Sequence, residues 1–186
     1  MNMQLGSRRQ LAAVGIAVVA LAASGCAGGG AVPSERLPAG VAAPGQTNAR
    51  VVRIVDGDTV DVLHDDRGRL RVRILGIDAD ELRAEDAGER CFAQRAKAFA
   101  VENLADRRVG MVGDPTQATT DRYGRTLGFV FTEAGSNFSV DIARAGLARS
   151  VVFGRKPVAA QPEIAEAEAQ ARAAGRGRWG SSCTAG

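Results

Sequence analysis

Between Val51 and Ile74 three short strand-like segments, the later two with apolar and polar residues alternating, are separated by turn-forming residues. A period of two marks strands with one face toward a core. Val51-Val52-Arg53-Ile54-Val55 and Thr59-Val60-Asp61-Val62-Leu63 flank the turn residues Asp56-Gly57-Asp58. Leu70-Arg71-Val72-Arg73-Ile74 follows a second turn, Asp65-Asp66-Arg67-Gly68. Short strands joined by tight turns pair as hairpins. In the third strand Val72 and Ile74 fall on the core face and the arginines on the other.

This stretch also concentrates charge. From Val55 to Glu81 five acids gather, Asp56 and Asp58 near the start and Asp78, Asp80 and Glu81 at the end. Folding the second hairpin about Arg67 pairs residues whose numbers sum to about 134, which places Asp58 near Gly76 and close to Asp78. Gly76 is a candidate bulge that would set the facing of these side chains. Carboxylates gathered this way repel one another unless a cation or a partner neutralises them.

The rest of the chain adds helices and further strands. Phe92, Ala96, Phe99, Ala100 and Leu104 follow helical spacing over Glu89 to Ala105, with Cys91 in the first turn. Strands are expected at Arg108–Val112 and Thr126–Thr132, separated by a turn at Gly113-Asp114-Pro115 and a polar loop. Ser139 is the expected cap of a short helix carrying Val140, Ile142 and Ala143 and ended by Gly146. Pro162 suits the first turn of a last helix, Glu163 to Ala174, ended by Gly175. Five short strands with helices inserted and appended point to an α+β, mainly β, architecture: a small closed barrel of the OB type.

The N-terminal region carries an address. Met1 to Arg9 is short and basic, and Leu11 to Ala23 is apolar over the length of a signal-peptide core, too short for a comfortable membrane span. Ala23-Ser24-Gly25-Cys26 resembles a bacterial lipobox, with Leu21 slightly upstream of the usual leucine position. The resemblance implies cleavage before Cys26 and lipid attachment there; the alternative is an ordinary secretory signal with an incidental cysteine. The formal charge is +3, and removing the leader with Arg8 and Arg9 leaves about +1. Whole-chain charge is thus weak support for a polyanionic partner. An aromatic share of 4% argues against a stacking-rich surface. Ala27 to Gly45 is dominated by Gly, Ala and Pro and reads as a tether. The organisation is a leader over 1–25, a tether over 26–48 from lipidated Cys26, and a domain over 49–184. Export to an oxidising setting makes pairing of Cys91 with Cys183 the default, two free buried thiols being the alternative.

The five acids offer only oxygen, and His64 is the single histidine. That set argues against zinc and suits calcium, magnesium or manganese. Two arginine features accompany it: Arg73, on the strand leading to Asp78, and Asp121-Arg122-Tyr123-Gly124-Arg125, on a glycine-containing turn. A guanidinium matches a phosphate bidentately. A metal with two arginines is equipment for stabilising charge on a phosphodiester under attack.

Three motifs then stand in register: Asp56-Gly57-Asp58-Thr59-Val60, Arg73 through Asp78 to Glu81, and Asp121-Arg122-Tyr123-Gly124-Arg125. In order and spacing they resemble the staphylococcal (micrococcal, thermonuclease-type) nuclease family. The likeness extends to Ala145-Gly146-Leu147-Ala148 and Gly177-Arg178-Trp179, and covers roughly Arg50 to Cys183. It implies a five-stranded OB barrel with three helices and calcium-dependent cleavage of DNA and RNA by a monomer. It also implies roles: Asp58, Asp78 and the backbone carbonyl of Ala79 as calcium ligands, and Glu81 as the group that handles the attacking water. Arg73 and Arg125 match the phosphate-binding arginines, Asp56 a supporting acid, and Arg122 and Tyr123 a substrate-contacting pair. Where the family has Thr-Pro, this chain has Ala79-Asp80, and Asp80 is expected to act near the metal site. Phe153 is the only aromatic where the family stacks tyrosines on substrate, and Trp179 is expected to anchor the last helix in the core.

Two rival readings frame the tests: an OB-fold nucleic-acid-binding lipoprotein without catalysis, and a calcium-binding envelope lipoprotein without a nucleic-acid role. The leading one is an exported nuclease anchored to the membrane and facing outside the cytoplasm.

Overall fold

A computed structural model describes residues 46–180 together with Cys183. The leader, the lipobox with Cys26 and nearly all of the tether lie outside the described residues. Seven strands and three helices follow in the order β1 Ala49–Ile54, β2 Thr59–His64, β3 Gly68–Ile74, β4 Ile77–Ala79, α1 Ala87–Leu104, β5 Arg108–Val112, β6 Thr126–Phe131, α2 Phe138–Arg144, β7 Ala148–Ser150 and α3 Gln161–Ala173. Single 3₁₀ turns cover Phe153–Arg155 and Gly177–Trp179.

The expected five-stranded barrel is present. Its strands run β1-β2-β3-β6-β5 and close through β5 on β1. All pairs are antiparallel except β3 with β6. Closure leaves no free edge among these five, which answers the cost of unpaired backbone groups. Val60, Val62, Val72, Ile74 and Phe129 fill the interior, and Phe138, Ile142 and Ile164 carry the core outward to α2 and α3. The β2–β3 hairpin pairs Thr59 with Arg73 and His64 with Gly68, a register two residues tighter than the spacing suggested. The backbone N–H of Ile74 donates to the Asp58 carbonyl at 2.8 Å, so Asp58 stands opposite Ile74 rather than Gly76.

Several local expectations shift. Gly76 is not a bulge: it takes φ +78° in the turn between β3 and β4, and a Cβ there would meet Ile164 Cδ1 at 2.5 Å. The register irregularity lies in β1, between Val51 and Arg53. Helix α1 begins two residues early because the Asp86 carboxylate caps it, accepting from the Glu89 N–H at 2.8 Å. Asn137, not Ser139, caps α2 by accepting from the Ser139 N–H at 3.0 Å. The buried Ser139 hydroxyl instead donates to the Leu75 carbonyl at 2.8 Å, pinning α2 to the segment behind the site. Trp179 stays outside the core, half-buried, with the Arg172 guanidinium of α3 3.9 Å over its ring. Two short strands escaped the sequence reading. In them Asp78 of β4 faces Arg149 of β7.

Cys91 on α1 and Cys183 are disulfide-bonded, with their Cα atoms 5.7 Å apart. The segment before Cys183 is held by a glycine contact as well. Gly146 and Gly177 both have positive φ, +72° and +53°, and the Arg178 N–H donates to the Gly146 carbonyl at 3.0 Å. A Cβ on Gly177 would lie 2.6 Å from the Gly146 carbonyl carbon, so neither larger residues nor looser packing suits this crossing.

Candidate active site

The Asp56-Gly57-Asp58 turn enters β2 against the floor of the site. Asp56 accepts from the Asp58 N–H at 3.1 Å, which fixes the turn. A Cβ on Gly57 would sit 2.7 Å from the Ala96 methyl and 2.8 Å from that of Ala79, so only glycine lets β4 and α1 approach this closely. Asp58 is left 6% exposed. Its carboxylate accepts from the Ala79 N–H at 2.9 Å and from the Thr59 hydroxyl at 3.0 Å. Burial drives the Asp58 carboxyl up to about 7, against the pull of Arg73 and the Ala79 N–H.

Arg73 joins the two ends of the acidic stretch. Its Nη2 lies 3.1 Å from Asp58 Oδ2 and 3.1 Å from Asp78 Oδ1. Nη1 donates to the carbonyls of Ile74 at 3.1 Å and Ile77 at 2.9 Å, so the guanidinium is fixed by four groups. The Phe153 ring covers it, its centroid 5.6 Å from the guanidinium carbon. Asp58 and Asp78 therefore do come within reach of a single cation, by a register slightly different from the one expected.

A cavity of about 630 Å³ opens above this pair, lined by Asp56, Asp58, Arg73, Asp78, Glu81 and Phe153 on one side. Arg122, Tyr123 and Arg125 line the other. Glu81 is exposed, and among the described residues it has no ion-pair partner. The opposite wall is organised by Asp121, whose Oδ1 accepts from the N–H groups of Tyr123 and Arg125, both at 2.9 Å. Its Oδ2 takes Arg125 Nε at 2.6 Å. Burial opposes the charge on Asp121, but Arg125 and these N–H groups hold its carboxyl below the usual range. Gly124, at φ +76°, permits the tight return. Arg122 donates to the Tyr123 hydroxyl at 2.5 Å and lies 4.7 Å over its ring.

The profile of the family described as staphylococcal nuclease homologue matches residues 71–181. The chain belongs to this nuclease family. A protein named ParB from Escherichia coli is 38% identical over 149 residues, covering 75% of this chain and 77% of that one. A micrococcal nuclease from Shigella flexneri is 36% identical over 137 residues, covering 69% and 71%. A thermonuclease from Staphylococcus hyicus is 28% identical over 141 residues, covering 76% and 80%.

Against the family pattern, Asp80 is the informative departure, and the structure corrects the expectation for it. It does not line the cavity. It is 6% exposed and bound by Arg178 Nη1 at 2.9 and 3.0 Å and by Arg149 Nη2 at 3.3 Å. Strand β4 ends at Ala79, so the alternation that would set Asp80 beside Asp78 stops there. Where a proline would stiffen the backbone, this chain ties the same point to the segment after α3 by an ion pair. Ala79 lies in the site through its backbone, hydrogen-bonded to Asp58, with its methyl against Gly57.

Two residues were missed as contributors. Asp121 organises the Arg125 wall, and an acid four residues before an arginine across a glycine turn is a readable pattern for it. Arg149 had no sequence signal, because its partner strand β4 was not recognised.

The donor set suits a hard cation. Neither sulfur nor imidazole lines the cavity. Asp58 is a desolvated carboxylate that Arg73 alone does not bring into the ordinary range. Among the described residues no three His, Cys, Asp or Glu side chains form a closed cage, so the carboxylate pair would share an ion with backbone oxygen and water.

Proposed function

We propose that this protein is a calcium-dependent nuclease that hydrolyses phosphodiester bonds of DNA and RNA. The observation that carries it is the convergence of Asp58 and Asp78 on one arginine nitrogen at the floor of a cavity whose walls hold Glu81 and Arg125. Family membership and the nuclease relatives support the same reading.

Asp58, Asp78 and the Ala79 carbonyl are the proposed ligands, with Asp56 holding the turn that presents Asp58. Calcium, when bound, polarises the phosphoryl oxygens and offsets repulsion between the diester and an attacking hydroxide. The side chains do the rest. Arg73 and Arg125 bracket the phosphate from opposite walls and stabilise its developing charge. Glu81, exposed in the cavity, takes the proton of the attacking water over a short path. Asp121 keeps the Arg125 fork oriented, and Tyr123 with Arg122 contacts the nucleotide beside the scissile bond. Phe153 covers Arg73 and limits water around it.

The direct test is hydrolysis of single-stranded DNA by the domain, with calcium and with chelator. Activity that needs calcium and is lost in Glu81→Gln is expected; activity indifferent to chelation or to that substitution sinks the proposal.

We infer further that the chain is exported and anchored through a lipid on Cys26, working as a monomer. The lipobox-like pattern supports this, and the Cys91–Cys183 bridge suits an oxidising compartment. Incorporation of labelled fatty acid that disappears in Cys26→Ser is the expected result; equal labelling of both forms contradicts it.

A further inference from the structure

Asp61 is a buried acid with no part in the chemistry above. It sits in mid-β2, 3% exposed, and its oxygens are taken by two arginines of β3. Arg71 reaches it through Nε at 2.7 Å and Nη2 at 3.2 Å, and Arg69 through Nη2 at 3.4 Å. Asp61 and Arg71 are direct partners in the strand register. The Arg71 hydrogen bonds hold the Asp61 carboxyl below its usual range, so it stays charged and keeps both guanidiniums side by side. The arginine side chains are nonetheless 66% and 49% exposed, leaving the rest of each fork toward solvent.

These groups line a separate hollow of about 350 Å³ together with Tyr123 and Arg125. The same tyrosine and arginine line the larger cavity, so the two depressions meet at the 121–125 turn. Two arginines against one acid leave the hollow net positive.

We propose that this hollow is a second phosphate-binding subsite, which receives the polynucleotide strand as it leaves the cavity over Tyr123. The inference rests on the nuclease reading and names where its substrate extends. A positive groove that tracks the backbone, with an aromatic face beside it, is how single strands are held without sequence preference. Guanidinium forks suit the phosphates, and Asp61 pre-orients them so that less side-chain freedom is lost on binding. Tyr123, 68% exposed, is the step between the two sites.

The experiment measures binding of two fluorescent ligands, a single strand of about twelve nucleotides and a dinucleotide that fills the cavity alone. The protein is the Glu81→Gln form with calcium, with and without Arg69→Gln and Arg71→Gln. The substitutions are expected to weaken binding of the long strand several-fold while leaving that of the dinucleotide nearly unchanged. The salt dependence of long-strand binding should fall by about one for each phosphate contact removed. An unchanged ratio of the two affinities, or equal loss on both ligands, overturns the subsite. Arg69→Gln alone, at the more exposed position, gives the same reading if the double substitution does not fold. Binding is scored on the Glu81→Gln form and cleavage on wild type: a wild-type protein that cuts neither ligand in calcium defeats the nuclease reading, while the affinity ratio still decides the subsite.

Discussion

Two acids two residues apart, Asp78 and Asp80, have opposite surroundings. Asp78 shares the Nη2 of Arg73 with Asp58, so two carboxylates divide one close guanidinium, and Arg149 stands off at 3.9 Å. Asp80 has Arg178 to itself at 2.9 Å and holds the shared Arg149 more closely than Asp78 does, at 3.3 Å. The first group is short of positive charge, and the Asp58 carboxyl rises to about 7 under its own burial. The second has a full counter-charge in Arg178 and a share of Arg149. Under-neutralised carboxylates suit the proposed cation site, whereas a joint that holds chain segments together has its charges matched. The comparison also explains how this chain dispenses with the proline of its family: the Asp80 ion pair ties the catalytic stretch to the segment between the glycine crossing and the disulfide.

Substitution at each acid should separate the two regions. Asp58→Asn is expected to lower calcium-dependent hydrolysis by about 10²–10³-fold, the range for losing one preorganised electrostatic group. The metal-free domain should meanwhile be no less stable, since a desolvated carboxylate is gone. Equal cleavage rates in a single-turnover assay would break the assignment of Asp58. Asp80→Asn should do the reverse, costing about 2–3 kcal/mol in urea unfolding because partly buried arginines lose their counter-charge. Its activity should fall less than that of Asp58→Asn. If Asp80→Asn were as inactive yet fully stable, the joint would be part of the chemistry after all.

The pH dependence sharpens the contrast. The folded Asp58 carboxyl titrates near 7 and the unfolded one near 3.8. Between those values the folded state keeps a proton that the unfolded state has released, so the metal-free domain should lose stability as pH rises through this window. Above it the effect is complete. Thermal unfolding from pH 4 to 8 should show this slope in wild type and lack it in Asp58→Asn; parallel curves would contradict it. Calcium should flatten the wild-type slope, because it favours the charged form. The smallest effect is expected at Phe153. Phe153→Ala removes an exposed ring from Arg73, worth about 0.5–1 kcal/mol, and should raise KM a few-fold while leaving kcat nearly unchanged.

Much of this was legible in the chain. Strand-like segments from Val51 to Ile74, helical spacing over Phe92 to Leu104 and turn glycines located most elements, and three motifs in register named the family. Local signals failed where tertiary contact decides. β4 and β7 have three residues each, too few to show a period, and exist because Asp78 and Arg149 pair across a sequence gap. Asn137 displaced Ser139 as a cap because the Ser139 hydroxyl had a buried partner in Leu75. Asp80 was placed with the acids beside it, because nothing local shows that Arg178 arrives from near the end of the chain. Among the site residues, Asp58, Asp78, Glu81, Arg73 and Arg125 do meet at one cavity. What spacing could not give is which acids share a cation and which already have one.

Calcium titration by calorimetry tests that distinction most directly, on wild type, Asp58→Asn and Asp80→Asn side by side. One calcium per wild-type chain is expected, with the same stoichiometry at reduced affinity for Asp80→Asn and no measurable binding for Asp58→Asn. Wild-type-like binding by Asp58→Asn, or loss of binding confined to Asp80→Asn, would contradict it.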